Sequence, residues 1–492
     1  MGKPATGYTA MMGFRLTVVV AVVALALAGC LAEESLLDTA TSPEAADELQ
    51  EWLVADGGLP LKLRTRLQPI EGMGIGVVAS EAIGKGEAYF ALPHRLAISR
   101  AVIDRSPVGT IVARLGQRLE AASSARDLPR GFTGSGSAGS IGNDVAFVVW
   151  LAAARFGPVS LGFDEGAAVY VEALPEVFGT PLYFDAGELA ALEGCVLAGQ
   201  AADDAVRVRE MASWLRSAVI ELALPLPVTV FANDAVKWAW SVVASRRINV
   251  GNAPSKAGGS AHLLPYIDMI NAKESSDRTF TSYSAKLDAV VMYADEDYAA
   301  GDQVFETYGN KTNSGYLRYN GFMYVGNPND CGMLDVDVRR YGERLMASEM
   351  DPFRQALGFG SRSATVWSKC VRSKLAGNDG IVGLSMLLSV LSEELAAAVA
   401  SRLSPSSRLA SQLTTAEQAA GYRMLAQVLA DKLARYPTRA KDDKAALKAS
   451  GLGENMRAAI EFRLAEKRTF LKLRRAAKAQ AQRLEAAMRD EL

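Results

Sequence analysis

The sequence predicts an α+β protein in which a β-core of short strands is split by a long helical insertion and followed by an all-helical C-terminal domain. Three observations carry this. Short strand-like runs with glycine punctuation fill Leu67 to Ser99. Similar runs return only from Ala261 to Thr307. Apolar residues at helical spacing dominate the residues between and after these two blocks. A chain of 492 residues is also too long for one ordinary core.

The elements are taken in chain order. Residues 1–32 read as a signal or targeting segment. Lys3 and Arg15 precede an apolar run from Leu16 to Ala28, small residues close it at Ala26-Leu27-Ala28, and no acidic residue appears before Glu33. The run is short for a membrane span, so membrane attachment is expected only if the segment stays uncut. Entry into the secretory pathway is the expectation, which includes a plastid reached through the ER. Thr39 to Ala55 is an acidic lead-in with helical character around Trp52. The strand texts GIGVVAS and IGKGEAYFALP come next, with Gly84-Lys85-Gly86 read as a hairpin-type turn between them.

Helical stretches then run from Val102 to Ala122, Val145 to Phe156 and Ala205 to Ala223, and Leu224 to Pro227 (LPLP) breaks the last. They define an insertion over about 100–243, with Gly131 to Gly142 and Gly251 to Ser260 as Gly/Ser-rich loops. After about Asp330 the pattern is read as helical to the end. Thr414 to Glu417 is a capping-box candidate before Tyr422, Leu425, Leu429 and Leu433, and Tyr436-Pro437 stops that helix. A final amphipathic helix over Glu454 to Met488 carries Ile460, Leu464, Leu471 and Leu473.

Composition excludes several functions. The formal net charge is -2, from 53 Lys+Arg against 55 Asp+Glu, which offers no basic field for nucleic acid. The hydrophobic content of 49% argues for a globular body. Four cysteines lie far apart with no CxxC pair, so neither a zinc knuckle nor a disulfide framework is expected. With only two histidines, His94 and His262, a His-based metal site or a Ser-His-Asp triad is hard to build, and no metal is expected.

Three segments stand apart from this background: EGMGIG at Glu71 to Gly76, LLPYIDMINA at Leu263 to Ala272, and DQVFETYGNKTNSGYLRYNGFMY at Asp302 to Tyr324. The glycines of the first lack the strand-loop-helix setting of a dinucleotide site. The last places Tyr308 where a strand-like run meets a Gly-Asn turn and returns Phe322 nearby. In their order and wide spacing the three resemble a SET domain, of the kind found in Rubisco large-subunit methyltransferase-like proteins. The texts ARYPTRAKDDKAAL and AIEFRLAEKRTFL resemble the helical substrate-binding domain of that family. The resemblance implies a SET domain over 33–330, its helical insertion over about 100–243, and a substrate-binding domain over 331–492.

It also implies the chemistry. The cofactor would be S-adenosylmethionine, the partner a protein substrate presenting a lysine side chain, and Tyr308 the residue at the methyl-transfer site. Glu71 and Met73 in the glycine-rich turn, Asp268 and Asn271 in IDMINA, Tyr308 and Phe322 would contact the cofactor. Arg246, or its neighbour Arg247, would hold the cofactor carboxylate through the planar guanidinium. Phe322, Tyr324 and Ile248 would wall an apolar channel. The sequence departs from the family at Ala272, where histidine is usual; alanine keeps a backbone contact and loses a side chain. Two alternatives stay open: a protein-histidine methyltransferase, and an inactive SET-fold interaction module of which Ala272 is the warning sign.

Overall fold

The computed structural model describes residues 42–120, 138–251, 261–273, 281–340, 347–361, 366–391 and 413–490. The expected targeting segment, the second Gly/Ser-rich loop after Gly251 and the first such loop up to 137 lie outside these residues. The last residues of that first stretch, from Ala138, belong to the helix Ala138–Phe156.

In chain order the strands are β1 (Thr65–Ile70), β2 (Gly74–Ala79), β3 (Ala88–Pro93), β4 (Ile248–Asn249), β5 (Ala261–His262), β6 (Thr281–Ser284), β7 (Ala289–Tyr293), β8 (Gln303–Val304), β9 (Gly332–Asp337), β10 (Gly360–Ser361) and β11 (Val366–Val371). β1 and β2 form an antiparallel hairpin whose last pair is Ile70 with Gly74. β8 joins the other edge of β2, giving the order β1-β2-β8. A second sheet runs β3-β7-β6, and β4 pairs with β5. Strands from both sides of the insertion therefore lie in one sheet, as the split pattern of the sequence requires.

The Gly84-Lys85-Gly86 turn forms, but not as a hairpin. β2 and β3 belong to different sheets, and the Gly86 amide donates to the Ala294 carbonyl at 2.8 Å instead of closing a β2–β3 ladder. The turn chemistry was legible; the partner of each strand lay far along the chain.

Between β3 and β4 the insertion supplies helices, among them Ala138–Phe156, Val196–Glu221 and Asn233–Arg246. In the first of these every residue from Val145 to Ala153 is buried. A helix apolar on all sides belongs at a core centre, and this one packs with the strands and with Trp238, Ala239 and Val242 of Asn233–Arg246.

The C-terminal region is not helical throughout. β9, β10 and β11 form an antiparallel sheet in the order β10-β11-β9. β9 has the alternating burial of a half-covered strand, with Leu334 and Val336 inward and Asp335 and Asp337 less buried. That two-residue period was the overlooked signal. The cysteine expectation is corrected at the same place: Cys331 and Cys370 are joined in a disulfide with Cα atoms 5.5 Å apart. Pairing of Met333 with Cys370 brings the two cysteines together, although 39 residues separate them in sequence.

Among the described residues, the rest of this region is mainly helical, as expected. Thr414 and Glu417 form a reciprocal capping box on helix Thr415–Ala434, and helix Glu454–Asp490 buries Ile460, Leu464 and Leu473. These helices share a core with Phe184, Leu192, Leu197 and Leu317 from the preceding part of the chain. Beneath it lies a buried polar cluster. Asp443 accepts from Arg463 at 2.8 Å and from Lys467 at 2.7 Å. Glu466 accepts from the Tyr436 hydroxyl at 2.6 Å and from the Met333 amide at 3.0 Å. Among the described residues no helix is long and apolar enough to cross a membrane.

Candidate active site

The site is built where the three sequence segments meet. Tyr266 is the pivot of the middle one. It is fully buried with φ of 73°, a conformation costly for a bulky residue. Two contacts hold it there: its ring lies 4.6 Å from that of Phe90, and its hydroxyl is 2.9 Å from that of Thr65. The bend turns the chain into a short 3₁₀ segment at Ile267–Met269 that carries Asp268 inward.

Asp268 is an internal anchor. The Tyr170 hydroxyl donates to Oδ2 at 2.5 Å, and Arg246 Nη1 lies 3.9 Å from Oδ1. Burial pushes the Asp268 carboxyl up to about 6, against the opposing pull of Arg246 and Tyr170. Arg246, at the end of helix Asn233–Arg246, donates through Nη1 to the Asp268 carbonyl oxygen and reaches Met269 Sδ at 3.5 Å. Its Nε is buried without a hydrogen-bond partner among the described residues. Arg247, weighed as an alternative to Arg246, pairs instead with Asp144 at the surface.

Asn271 and Ala272 run alongside the third segment. The Glu306 amide donates to the Asn271 carbonyl at 3.0 Å, and Ala272 bridges Glu306 in parallel. Two residues on, the Tyr308 hydroxyl donates to the Ile270 carbonyl at 2.9 Å. Asn271 Nδ2 is buried without a hydrogen-bond partner among the described residues. It faces Gly76 of β2, where a Cβ would sit 2.8 Å from that nitrogen and 2.7 Å from the Ile70 side chain. Glycine is required there by close approach. Met73 and Glu71 occupy the exposed β1–β2 turn, with Met73 Sδ 3.9 Å from Gln303 Nε2.

An aromatic wall closes the Tyr308 side. The Phe322 ring is 6.2 Å from that of Tyr308, stacks on Tyr316 at 5.2 Å, and meets Tyr324 edge-on at 5.2 Å. Tyr316 donates to the Gly309 carbonyl at 2.7 Å, fixing the turn after Tyr308. Burial pushes the Tyr308 phenol up to about 12, so it keeps its proton at neutral pH. Lys311 lies 5.8 Å from the Tyr308 ring and donates to Asn320 Oδ1 at 3.1 Å; desolvation lowers its pKa. Gly321 ends helix Asn313–Asn320 with φ of 81° and passes so close to Gly179 that a Cβ would lie 2.9 Å from that backbone.

The fold therefore brings Tyr308, Phe322, Asn271, Ala272, Asp268 and Arg246 to one place, with Met73 and Glu71 at its rim. Tyr316, Lys311 and Tyr170 were missed. Tyr316 had a visible signal in the aromatic density of Asp302 to Tyr324. Tyr170 had none, because it comes from the middle of the insertion.

This arrangement is the SET-domain fold, and comparison with solved structures shows the same. The crystal structure of the SET domain of LSMT bound to lysine and AdoHcy superposes with a TM-score of 0.64, at 16% identity, over 90% of this chain and 93% of that one. The structure of Rubisco LSMT bound to AdoMet does so at 0.61 and 15% identity, over the same shares. Residues 384–470 match the family described as Rubisco LSMT substrate-binding. The chain therefore has the SET-domain fold, and its residues 384–470 match the Rubisco LSMT substrate-binding domain.

Among curated relatives, it is 30% identical over 196 residues to the actin-histidine N-methyltransferase of Danio rerio, covering 38% of this chain and 31% of the relative. It is 31% identical over 170 residues to the ribosomal lysine N-methyltransferase set10 of Schizosaccharomyces pombe, covering 34% of this chain and 30% of that one. The matches thus span about a third of each relative's length.

Proposed function

We propose that this protein is an S-adenosylmethionine-dependent protein methyltransferase acting on a lysine side chain. The observation that carries the reading is the junction of Tyr308 with Ile270, where the second and third segments meet under an aromatic wall and beside the β1–β2 hairpin. The residues fit the cofactor. Asn271 Nδ2 and Arg246 Nε are buried donors without partners among the described residues, a costly state unless a ligand completes it. Gly76 lets the Asn271 amide pack close against the β2 backbone. Asn271, Arg246 and the Glu71–Met73 turn would hold the cofactor. When bound, it supplies an electrophilic methyl group on a sulfonium whose positive charge lowers the pKa of a neighbouring amine.

The chain's own groups do the rest. A free lysine costs about 4 kcal/mol to deprotonate near neutral pH. The apolar wall of Phe322, Tyr316 and Tyr324 excludes water and disfavours the ammonium form. The Tyr308 hydroxyl, fixed by Ile270 and protonated, orients the acceptor nitrogen. Ala272 does not weigh against activity, since its bridge to Glu306 is made by backbone atoms. We propose the division into a SET domain over 33–330, with its insertion over about 100–243, and a substrate-binding domain over 331–492. The family match within 384–470 supports that role for the second part.

Histidine is the second reading for the acceptor, supported by the likeness to the actin-histidine enzyme. The test is calorimetry with S-adenosylmethionine, followed by transfer of a labelled methyl group to proteins of an extract lacking the enzyme. Binding and label on lysine are expected. Label on histidine selects the second reading, and no binding at millimolar cofactor leaves only an inactive interaction module.

A further inference from the structure

The segment that returns Phe322 and Tyr324 to Tyr308 is held from outside the site. Asn313, buried at the start of its helix, is the hub. Its Nδ2 donates to the Tyr324 carbonyl at 2.9 Å, and its Oδ1 accepts from the Tyr324 amide at 3.1 Å. Nδ2 also donates to Asp330 Oδ2 at 3.1 Å, while the Asn313 amide donates to Asp330 Oδ1 at 2.9 Å. Asn327 adds a second clamp, donating to Asn313 Oδ1 at 3.1 Å and to the Lys311 carbonyl at 3.0 Å. The residue after Asp330 is Cys331, tied to Cys370 of β11. Cys331 is buried, but Cys370 is exposed.

We propose that the Cys331–Cys370 disulfide is a redox-modifiable tether that positions the aromatic wall of the methyl-transfer site through Asp330 and Asn313. The connectivity is short and continuous. The disulfide fixes the C-terminal end of the 321–330 return against the β9–β11 sheet. Asp330 passes that constraint to Asn313, and Asn313 sets the height of Tyr324, whose ring packs on Phe322 and Tyr316. Val325, at the crest of the return, is fully exposed and contributes no packing to hold it. Opening the disulfide leaves this stretch on its hydrogen bonds and the ring contacts of Phe322 and Tyr324.

Reduction is chemically accessible from one side. The thiolate of a dithiol reductant attacks the sulfur of Cys370, the exposed residue of the pair, the sulfur–sulfur bond breaks, and Cys331 leaves as a thiolate that takes a proton. The reductant's second thiol then attacks the mixed disulfide, releasing Cys370 as a thiol and leaving the reductant oxidised. Two electrons and two protons pass to the protein and the cross-link is lost.

The inference rests on the methyltransferase reading for its effect on rate, but its structural half is measured independently. The full chain is compared before and after treatment with dithiothreitol, with alkylation and peptide mapping of Cys331 and Cys370 to establish their state. Cys370→Ser, at an exposed position, gives the same opened form without reductant. Hydrogen exchange of amides in 321–330 should quicken about tenfold or more in both opened forms. Methyl transfer should fall several-fold with cofactor affinity little changed, and Cys370→Ser should no longer respond to reductant. Free thiols at both positions in the native protein, unchanged exchange after confirmed reduction, or an unchanged transfer rate would each overturn the proposal. Absence of any cofactor binding would instead count against the methyltransferase reading, and the exchange result would still decide the tether.

Discussion

The Tyr308 hydroxyl donates a 2.9 Å hydrogen bond to the main-chain carbonyl of Ile270, the residue before Asn271. One bond therefore connects the phenol assigned to the reacting nitrogen with the segment assigned to the cofactor. It fixes the phenol proton on the Ile270 side, and under the proposed function the oxygen lone pairs would face an incoming amine.

Tyr308→Phe is expected to lower methyl transfer by about a hundredfold or more, the scale of one positioned hydrogen bond in a transition state. Affinity for S-adenosylmethionine should stay nearly the same, because the lost group acts on the acceptor. Single-turnover transfer together with calorimetry separates the two. A variant with near wild-type turnover would make Tyr308 an ordinary packed tyrosine.

Asn271→Ala tests the cofactor side with an unusual sign. The Nδ2 group is buried and has no partner among the described residues, so removing it relieves a desolvation cost of roughly 1–3 kcal/mol. The free variant should melt no lower than wild type by more than a few degrees. Its cofactor affinity should fall about tenfold, the worth of one good hydrogen bond to a charged ligand. A large loss of thermal stability without cofactor would show that Asn271 is structural.

The parts of the site that were legible in the sequence are those dictated locally. The glycine-rich turn, the IDMINA segment and the Tyr308 turn each need particular residues within a few positions, and all three converge. The capping box at Thr414 and Glu417 was legible for the same reason. What escaped depends on distant pairing. The disulfide is one such feature, since Cys331, just before β9, has its partner 39 residues away. The Gly84 to Gly86 turn looked like a hairpin because nothing local reveals that β3 takes β7 as its neighbour. Asp268 was read as a cofactor contact, and its role as a buried anchor escaped because its partner Tyr170 stands on the distant helix Glu165–Glu172.

Asp268 should leave a mark on stability between pH 4 and 6. Burial raises its carboxyl from 3.8 to about 6, so between those values the folded state holds a proton that the unfolded state has lost. The contribution is therefore most favourable at low pH, declines as pH rises through that window, and is fully unfavourable above about 6, by about 3 kcal/mol. Asp268→Asn keeps an acceptor for Tyr170 and removes the titration. Urea unfolding across this range should show wild type losing ground to the variant as pH rises. Parallel curves would mean that Asp268 is not shifted.

Glu466 is the test of how β9 is held to the last helix. Burial pushes its carboxyl upward, while hydrogen bonds from Tyr436 and the Met333 amide favour the charged form. Glu466→Ala would leave a buried hydroxyl and a strand amide unpaired, each costing about 1–3 kcal/mol. Glu466→Gln can keep both contacts, with Oε1 accepting from the Met333 amide and the amide nitrogen donating to the Tyr436 oxygen, which is also an acceptor. Alanine should therefore lower the unfolding free energy by about 3 kcal/mol or more, and glutamine by much less. Because Met333 lies two residues from Cys331, the alanine variant should also loosen β9 in hydrogen exchange before the rest of the sheet. Equal losses for the two substitutions would show that charge, and not hydrogen-bond satisfaction, is what Glu466 supplies.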